Sequence, residues 1–309
     1  MANIAYIQIT RQCNQECRFC SNPPTEKTTS LSKAKRLIDL YLRWGYRSVI
    51  FSGGEPTLYP YLAQIIAYAR RKKMECRIIT NGQKMSDKAF VSRLVDAGLR
   101  HVVQSVYSDD PAVHDALAVC AGSHQRICQS LNHYRDLGLT VDIATVINKY
   151  NAGHLSRTVR WLIKEYPFIR HYIWNNLDPA MNRATVNTDT IPALADFEVE
   201  LPRAMLLLHQ TGRTFRVERV PLCYMGRFAH CSTEARKIVK QEERTIYFLD
   251  KKGLKRQTGW TYLKTARCRI CTLSAICPGL YMLGKYFSPQ ELYPVFIPPE
   301  PIIENIKAT

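Results

Sequence analysis

Along the first 180 residues, short β-branched runs alternate with stretches whose apolar residues recur at helical spacing, and this constrains the fold more than any other feature. Six strands are predicted: Ala5 to Thr10, Ser48 to Phe51, Arg77 to Thr80, His101 to Ser105, Val141 to Ile147 and His171 to Trp174. Between them Leu37, Ile38, Tyr41 and Leu42 share one helical face, and Ile65, Ile66 and Ala69 share another. Such alternation builds a parallel sheet of βα units, with Gly45, Gly82, Gly98 and Gly138 at element ends. The pattern allows an open sheet or a barrel.

In either arrangement the loops at the carboxyl ends of the strands form the ligand face. Cys13-x3-Cys17-x2-Cys20 follows the first predicted strand and Gly53-Gly54-Glu55-Pro56 the second, so both fall on one rim. Eleven cysteines would suit a disulfide framework in a short secreted chain, but this chain has 309 residues and no export signal. It also lacks any run of about 18 uncharged apolar residues, so the expectation is a cytosolic protein with no membrane contact. Eight cysteines fall in two groups, the triplet and Cys223, Cys231, Cys268, Cys271 and Cys277, as metal binding requires. Cys76, Cys120 and Cys128 stand apart and read as core thiols. Three thiolates in one short loop can wrap three corners of a cubic iron-sulfur cluster and leave the fourth open. Structural zinc wants four ligands, and no fourth lies nearby in the sequence.

Cys13-x3-Cys17-x-Phe19-Cys20, followed by Gly53-Gly54-Glu55-Pro56, resembles the radical S-adenosylmethionine (SAM) superfamily over residues 4 to about 180. The resemblance implies an α/β fold, a partial (βα)6 TIM-like barrel. It implies that Cys13, Cys17 and Cys20 hold a 4Fe-4S cluster whose open iron chelates SAM, and that one electron cleaves SAM to methionine and a 5'-deoxyadenosyl radical. It puts Phe19 near the adenine, the backbone of Gly53 and Gly54 against the methionine, and Glu55 beside its ammonium. Ser105, Thr145 and Val146 would then meet the carboxylate, ribose or adenine, strand packing being the competing reading. An electron donor such as flavodoxin or ferredoxin is implied as well.

After about residue 185 the pattern changes, and the expected division is a barrel core over 1–185 and, over 186–309, a linker helix near Leu201 to His209 with a cluster-binding extension. Cys223-x2-Gly226-x4-Cys231, then Cys268-x2-Cys271-x5-Cys277, resembles the SPASM extension of radical SAM enzymes, or its shorter twitch form. Tyr281 stands where a further cysteine is expected, and five thiols cannot fill two four-iron clusters. The expectation is one auxiliary iron-sulfur cluster of the 4Fe-4S type on Cys223, Cys231, Cys268 and Cys271, with Cys277 as a spare or exchanged ligand. Tetrahedral zinc is the alternative. Phe296 to Pro301 reads as extended.

The expected reaction is hydrogen-atom abstraction from an unactivated C-H bond, the cofactor supplying the chemistry, so no side chain is assigned as catalytic. Substrate contacts are expected from Asn175, Asn176 and Asp178 at the last strand, with Tyr172 and Arg183. A ribosomally made peptide is the first substrate class. Its leader would be bound by a separate partner, since the first strand begins about four residues from Met1. A formal charge of +17 keeps an anionic small molecule second and tRNA third. A zinc-stabilised nucleic-acid-binding protein is the non-enzymatic alternative.

Overall fold

The computed structural model describes residues 4–308. All six predicted strands form, each within two residues of its expected ends: β1 (Ile4–Thr10), β2 (Ser48–Gly53), β3 (Glu75–Thr80), β4 (His101–Ser105), β5 (Thr140–Ile147) and β6 (His171–Asn176). Three more join the same sheet from beyond residue 185: β7 (Thr214–Glu218), β8 (Arg244–Tyr247) and β9 (Leu254–Gln257). The order is β7-β6-β5-β4-β3-β2-β1-β8-β9, parallel throughout except for β9, which runs antiparallel to β8. One cavity touches Tyr6, Ile50, Arg77, Val103, Asp142, Ile173, Arg216 and Arg244, one residue from each of β1 to β8. The eight parallel strands therefore curve round a common interior as a TIM-like barrel, with a seam between β7 and β8.

Alternation along each strand sets the two faces. Ile7, Ile9, Val49, Phe51, Ile78, Val102 and Ile143 point outward and are essentially inaccessible, each such side chain contributing about 2 kcal/mol of burial. They meet the apolar stripes of α1 (Leu31–Arg43), α2 (Leu62–Arg71), α3 (Lys88–Asp96), α5 (Ser123–Asp136), α6 (Leu155–Glu165) and α7 (Glu200–Gln210), while Leu117 and Ala118 of α4 (Pro111–Ala118) pack in a separate cluster. α1 buries Ala34, Leu37, Ile38 and Tyr41, and starts where the Ser30 hydroxyl accepts from the Lys33 amide. The Asp87 and Asp110 carboxylates cap α3 and α4 in the same way.

Beyond β7 come α8 (Thr233–Lys240) and α9 (Glu300–Ala308). The expected extended tail is corrected at its end: Glu300 and Pro301 form the first turn of α9, where a proline lacks nothing, and Ile302 and Ile306 are buried behind them. The expected helix near Leu201 to His209 forms as α7, and ahead of it residues 182–190 make two short helical turns that reach the cysteine loop, as described next.

Candidate functional site

The chain leaves β1 at Thr10, makes the cysteine loop and returns beside β1, where the Thr29 amide donates to Ile9 O and the Arg11 amide to Lys27 O, both at 2.8 Å. The end of β2 is tied to the start of this loop. The Gly54 amide donates to Thr10 O at 2.8 Å and the Glu55 amide to Gln12 O at 2.7 Å. A Cβ on Gly53 would lie 2.0 Å from Thr10 O, and one on Gly54 2.3 Å from Gln12 O. The glycine pair is thus demanded by the close approach of two backbones.

Glu55 is buried at that junction. Its Oε1 accepts from the Thr57 amide and hydroxyl and from the Thr80 hydroxyl, and its Oε2 from the Asn81 amide at 2.7 Å. Burial raises its pKa against those four donors. The carboxylate expected beside a ligand ammonium therefore ties β2 to β3.

Each sulfur of the triplet has a polar neighbour. The Asn22 amide donates to Cys20 Sγ at 3.3 Å, Asn81 Nδ2 lies 3.8 Å from Cys13 Sγ, and the Tyr107 hydroxyl is 3.6 Å from Cys17 Sγ. Burial pushes the Cys13 thiol up to about 11, the Cys17 thiol to about 12 and the Cys20 thiol upward, so metal uptake here has to displace protons. Three half-buried thiols in one loop, supplied with donors and walled by apolar side chains, fit an iron-sulfur cluster with an open corner. Sequence reasoning did not single out Tyr107. Its signal was position, since it follows β4 on the rim shared by the cysteines and glycines.

The Phe19 ring meets Tyr107 edge-on at 4.9 Å within a second apolar cluster containing Leu117, Ala118, Leu177 and Ala184, with Val146 packed against it. Tyr107 in turn stacks on His114, whose Nδ1 accepts from the Tyr107 amide at 3.2 Å. Burial drives His114 down to about 3, so it is neutral.

Strand alternation sorts the remaining expectations. Ser105, Val146 and Asn175 share the inward face and are partly accessible. Thr145 is corrected: it points outward, buried, with its hydroxyl donating to Val106 O at 2.7 Å. Tyr172 and Asn176 are corrected on the same ground. The Tyr172 ring is buried among the outer helices, and Asn176 Nδ2 reaches Arg219 O at 3.4 Å. Asp178 lies beyond β6 at the mouth, raised by burial against the nearby Arg219 and Lys252.

Arg183 lies against the cysteine loop instead of the barrel interior, its amide donating to Cys20 O at 3.3 Å and its guanidinium standing 3.5 Å from Glu16. Asn187 Nδ2 donates to Arg18 O at 3.0 Å, and Arg18 pairs with Asp189 at 2.7 Å. The segment after β6 thus straps the loop in place.

In the second group, Cys223, Cys268, Cys271 and Cys277 line one cavity with Leu222, Leu273 and Leu292. The Val295 amide donates to Cys271 Sγ and the Gly279 amide to Cys277 Sγ, both at 3.4 Å. Burial pushes Cys223 up to about 12 and Cys277 upward. Cys231 is not in this wall. It is buried with its thiol against the Arg216 guanidinium, apart from the four thiols that line the cavity. Among the described residues no three His, Cys, Asp or Glu side chains close on a point as one metal ion requires. Cys76 is buried as expected, whereas Cys120 and Cys128 are half-buried.

The profile of the Radical SAM superfamily matches residues 7–162, half of the chain. The chain is 26% identical over 195 residues to the AdoMet-dependent heme synthase of Nitratidesulfovibrio vulgaris, covering 62% of this chain and 52% of that one. It is 26% identical over 202 residues to the PqqA peptide cyclase of Rhodopseudomonas palustris, covering 62% and 51%. The chain spans about half the length of these curated relatives. Its fold is like that of Streptococcus suis SuiB bound to S-adenosylmethionine, with a TM-score of 0.67 at 16% identity over 90% of this chain and 72% of that one. The family consists of enzymes that use SAM and a 4Fe-4S cluster, which sets aside the non-enzymatic reading.

Proposed function

The chain belongs to the radical SAM superfamily, and within it we propose that this protein abstracts a hydrogen atom from a peptide. The observation that carries the chemistry is the three-thiol loop on the barrel's carboxyl rim, bonded to the ends of β2 and β3 and faced by Tyr107. Cys13, Cys17 and Cys20 hold the cluster. When bound, cluster and SAM supply a one-electron cleavage whose product takes hydrogen from the substrate. The chain's own part is placement and exclusion. Phe19 and Val146 form an apolar wall beside the loop, Ser105 and Asn175 offer polar groups on the inner face, and Asp178 stands at the mouth.

Residues 186–309 supply β7 and β8 and carry a second thiol set. Cys223, Cys268, Cys271 and Cys277 hold one auxiliary 4Fe-4S cluster, supported by the backbone donors aimed at their sulfurs. A flavodoxin or ferredoxin is the electron donor, a separate partner binds a peptide leader, and the protein is cytosolic. The peptide reading is supported by similarity to a peptide cyclase. An anionic small molecule is the second reading, supported by the +17 charge and by similarity to a heme synthase.

The test is isotope transfer. Anaerobic enzyme, SAM and a reductant are incubated with deuterated candidate peptides and, separately, deuterated small anions. Deuterium in 5'-deoxyadenosine from a peptide supports the reading; label only from an anion overturns it in favour of the second.

A further inference from the structure

At the end of the barrel away from the cysteine loop, the amino-terminal halves of the strands enclose a cavity of about 240 Å³. Arg236 and Lys237 of α8, with Glu242 after it, contribute to its wall. The proposed reaction does not use this space. Barrel interiors are ordinarily filled by layers of branched apolar side chains, but here the lower layer is charged.

Four carboxylates line the cavity, and each has a basic side chain as neighbour. Glu218 meets Arg244 at 2.8 Å and Glu242 meets Lys237 at 3.9 Å. Asp142 lies 2.8 Å from His101 Nε2, close enough to pair though not aligned for a hydrogen bond. Glu243 turns to Arg256. Two guanidiniums are left without such a match. Arg216 on β7 lies against the Cys231 thiol and faces Arg236. Arg77 on β3 reaches only the exposed Glu75, at 3.8 Å, and its Nε is buried with no hydrogen-bond partner. In the strand order β3 and β7 stand four places apart in a ring of eight, on opposite walls. An eight-stranded barrel is just wide enough for side chains to fill or for one small ligand.

We propose that this cavity binds a small doubly charged oxyanion, inorganic phosphate or the head of a phosphomonoester, between Arg216 and Arg77 with Arg236 beside it. Planar guanidinium forks suit phosphate oxygens bidentately, and the space holds such a group with several waters at about 30 Å³ each. Burial and then Arg236 lower the pKa of Arg216, against the opposing effect of the Cys231 thiol and the Glu242 carboxylate. His171, between the two, is lowered by burial against the neighbouring Asp142 carboxylate, which raises it, and Arg216 and Arg77 are among the groups that lower it further. A bound dianion ties β3, β7 and α8 together, and stabilises the fold by mass action.

The test is calorimetric titration of the iron-loaded protein in phosphate- and sulfate-free buffer, with inorganic phosphate as one probe and phenyl phosphate as the other. Saturable binding of phosphate is expected, weakened about tenfold or more in Arg216→Met and in Arg77→Met and unchanged in the surface variant Lys72→Gln. The melting temperature of the parent protein rises with phosphate; that of Arg216→Met does not. Binding of both probes assigns a phosphomonoester head, and binding of phosphate alone the free ion. If Arg216→Met does not fold, Arg77→Met carries the comparison. Absence of saturable binding, or equal affinity in parent and variants, overturns the proposal.

Discussion

Arg244 of β8 donates to Glu218 of β7 across 2.8 Å, at the seam where no backbone ladder joins these two strands. Arg244 also stacks over Tyr6 and Trp260. Burial alone would raise the Glu218 carboxyl, yet the Arg244 guanidinium beside it holds it below its usual value. The barrel is thus closed by a side-chain pair where a hydrogen-bonded strand pair is ordinarily found.

Breaking that pair from one side leaves a largely buried charge unmatched. Arg244→Met is expected to destabilise the protein by about 3 kcal/mol, and the double variant Arg244→Met with Glu218→Leu by less. Denaturant unfolding of the three variants in a double-mutant cycle measures this. A loss in the double variant equal to the sum of the two single losses, which is zero coupling, would show that the pair does not close the seam.

Glu234 supplies a pH dependence. Its Oε1 accepts from the Arg219 amide at 3.0 Å while Oε2 is buried without a partner. Burial, then repulsion from Glu218, push it up to about 7. Between an unfolded carboxyl near 4.3 and this raised value the folded state holds a proton that the unfolded chain has released. This contribution therefore falls as pH rises from about 4.3 toward 7 and is flat above. Glu234→Gln removes that slope, which unfolding midpoints at pH 5, 6, 7 and 8 read directly.

Gly54→Ala puts a methyl group 2.3 Å from Gln12 O and 2.6 Å from Arg11 O, both backbone atoms that cannot swing away. The expected loss is about 2 kcal/mol of stability, together with weaker SAM binding because the cysteine loop is displaced. Thermal unfolding and SAM titration should move together; Gly45→Ala, which meets no neighbouring atom, serves as the control for a strained glycine away from the loop.

Iron content separates the second thiol set. Cys277→Ser is expected to retain about four of the eight iron atoms that two cubanes carry, and Cys231→Ser to retain all. Loss of iron from Cys231→Ser would restore the ligand set read from the sequence.

Tyr107→Phe removes the hydroxyl 3.6 Å from Cys17 Sγ. Donors to cluster sulfurs stabilise the more negative, reduced state, so the midpoint potential is expected to fall by about 40 mV for a hydrogen bond of about 1 kcal/mol. Spectroelectrochemical titration at unchanged iron content measures it.

What could be read from the chain alone is local. The six strands, the faces of α1 and α2 and the rim shared by the cysteine triplet with Gly53 and Gly54 all follow from periodicity and from loop position. These are properties of ten or twenty consecutive residues. The tertiary structure decided which side of a strand faces the interior, so that Val146 and Asn175 point in while Thr145, Tyr172 and Asn176 point out. It gathered Cys277 with Cys223, Cys268 and Cys271, and set Cys231 against Arg216. It carried β7 and β8, more than 200 residues from β1 in the sequence, into the same barrel. Pairing across such distances depends on how the whole ring of strands closes, and no window of sequence contains that closure.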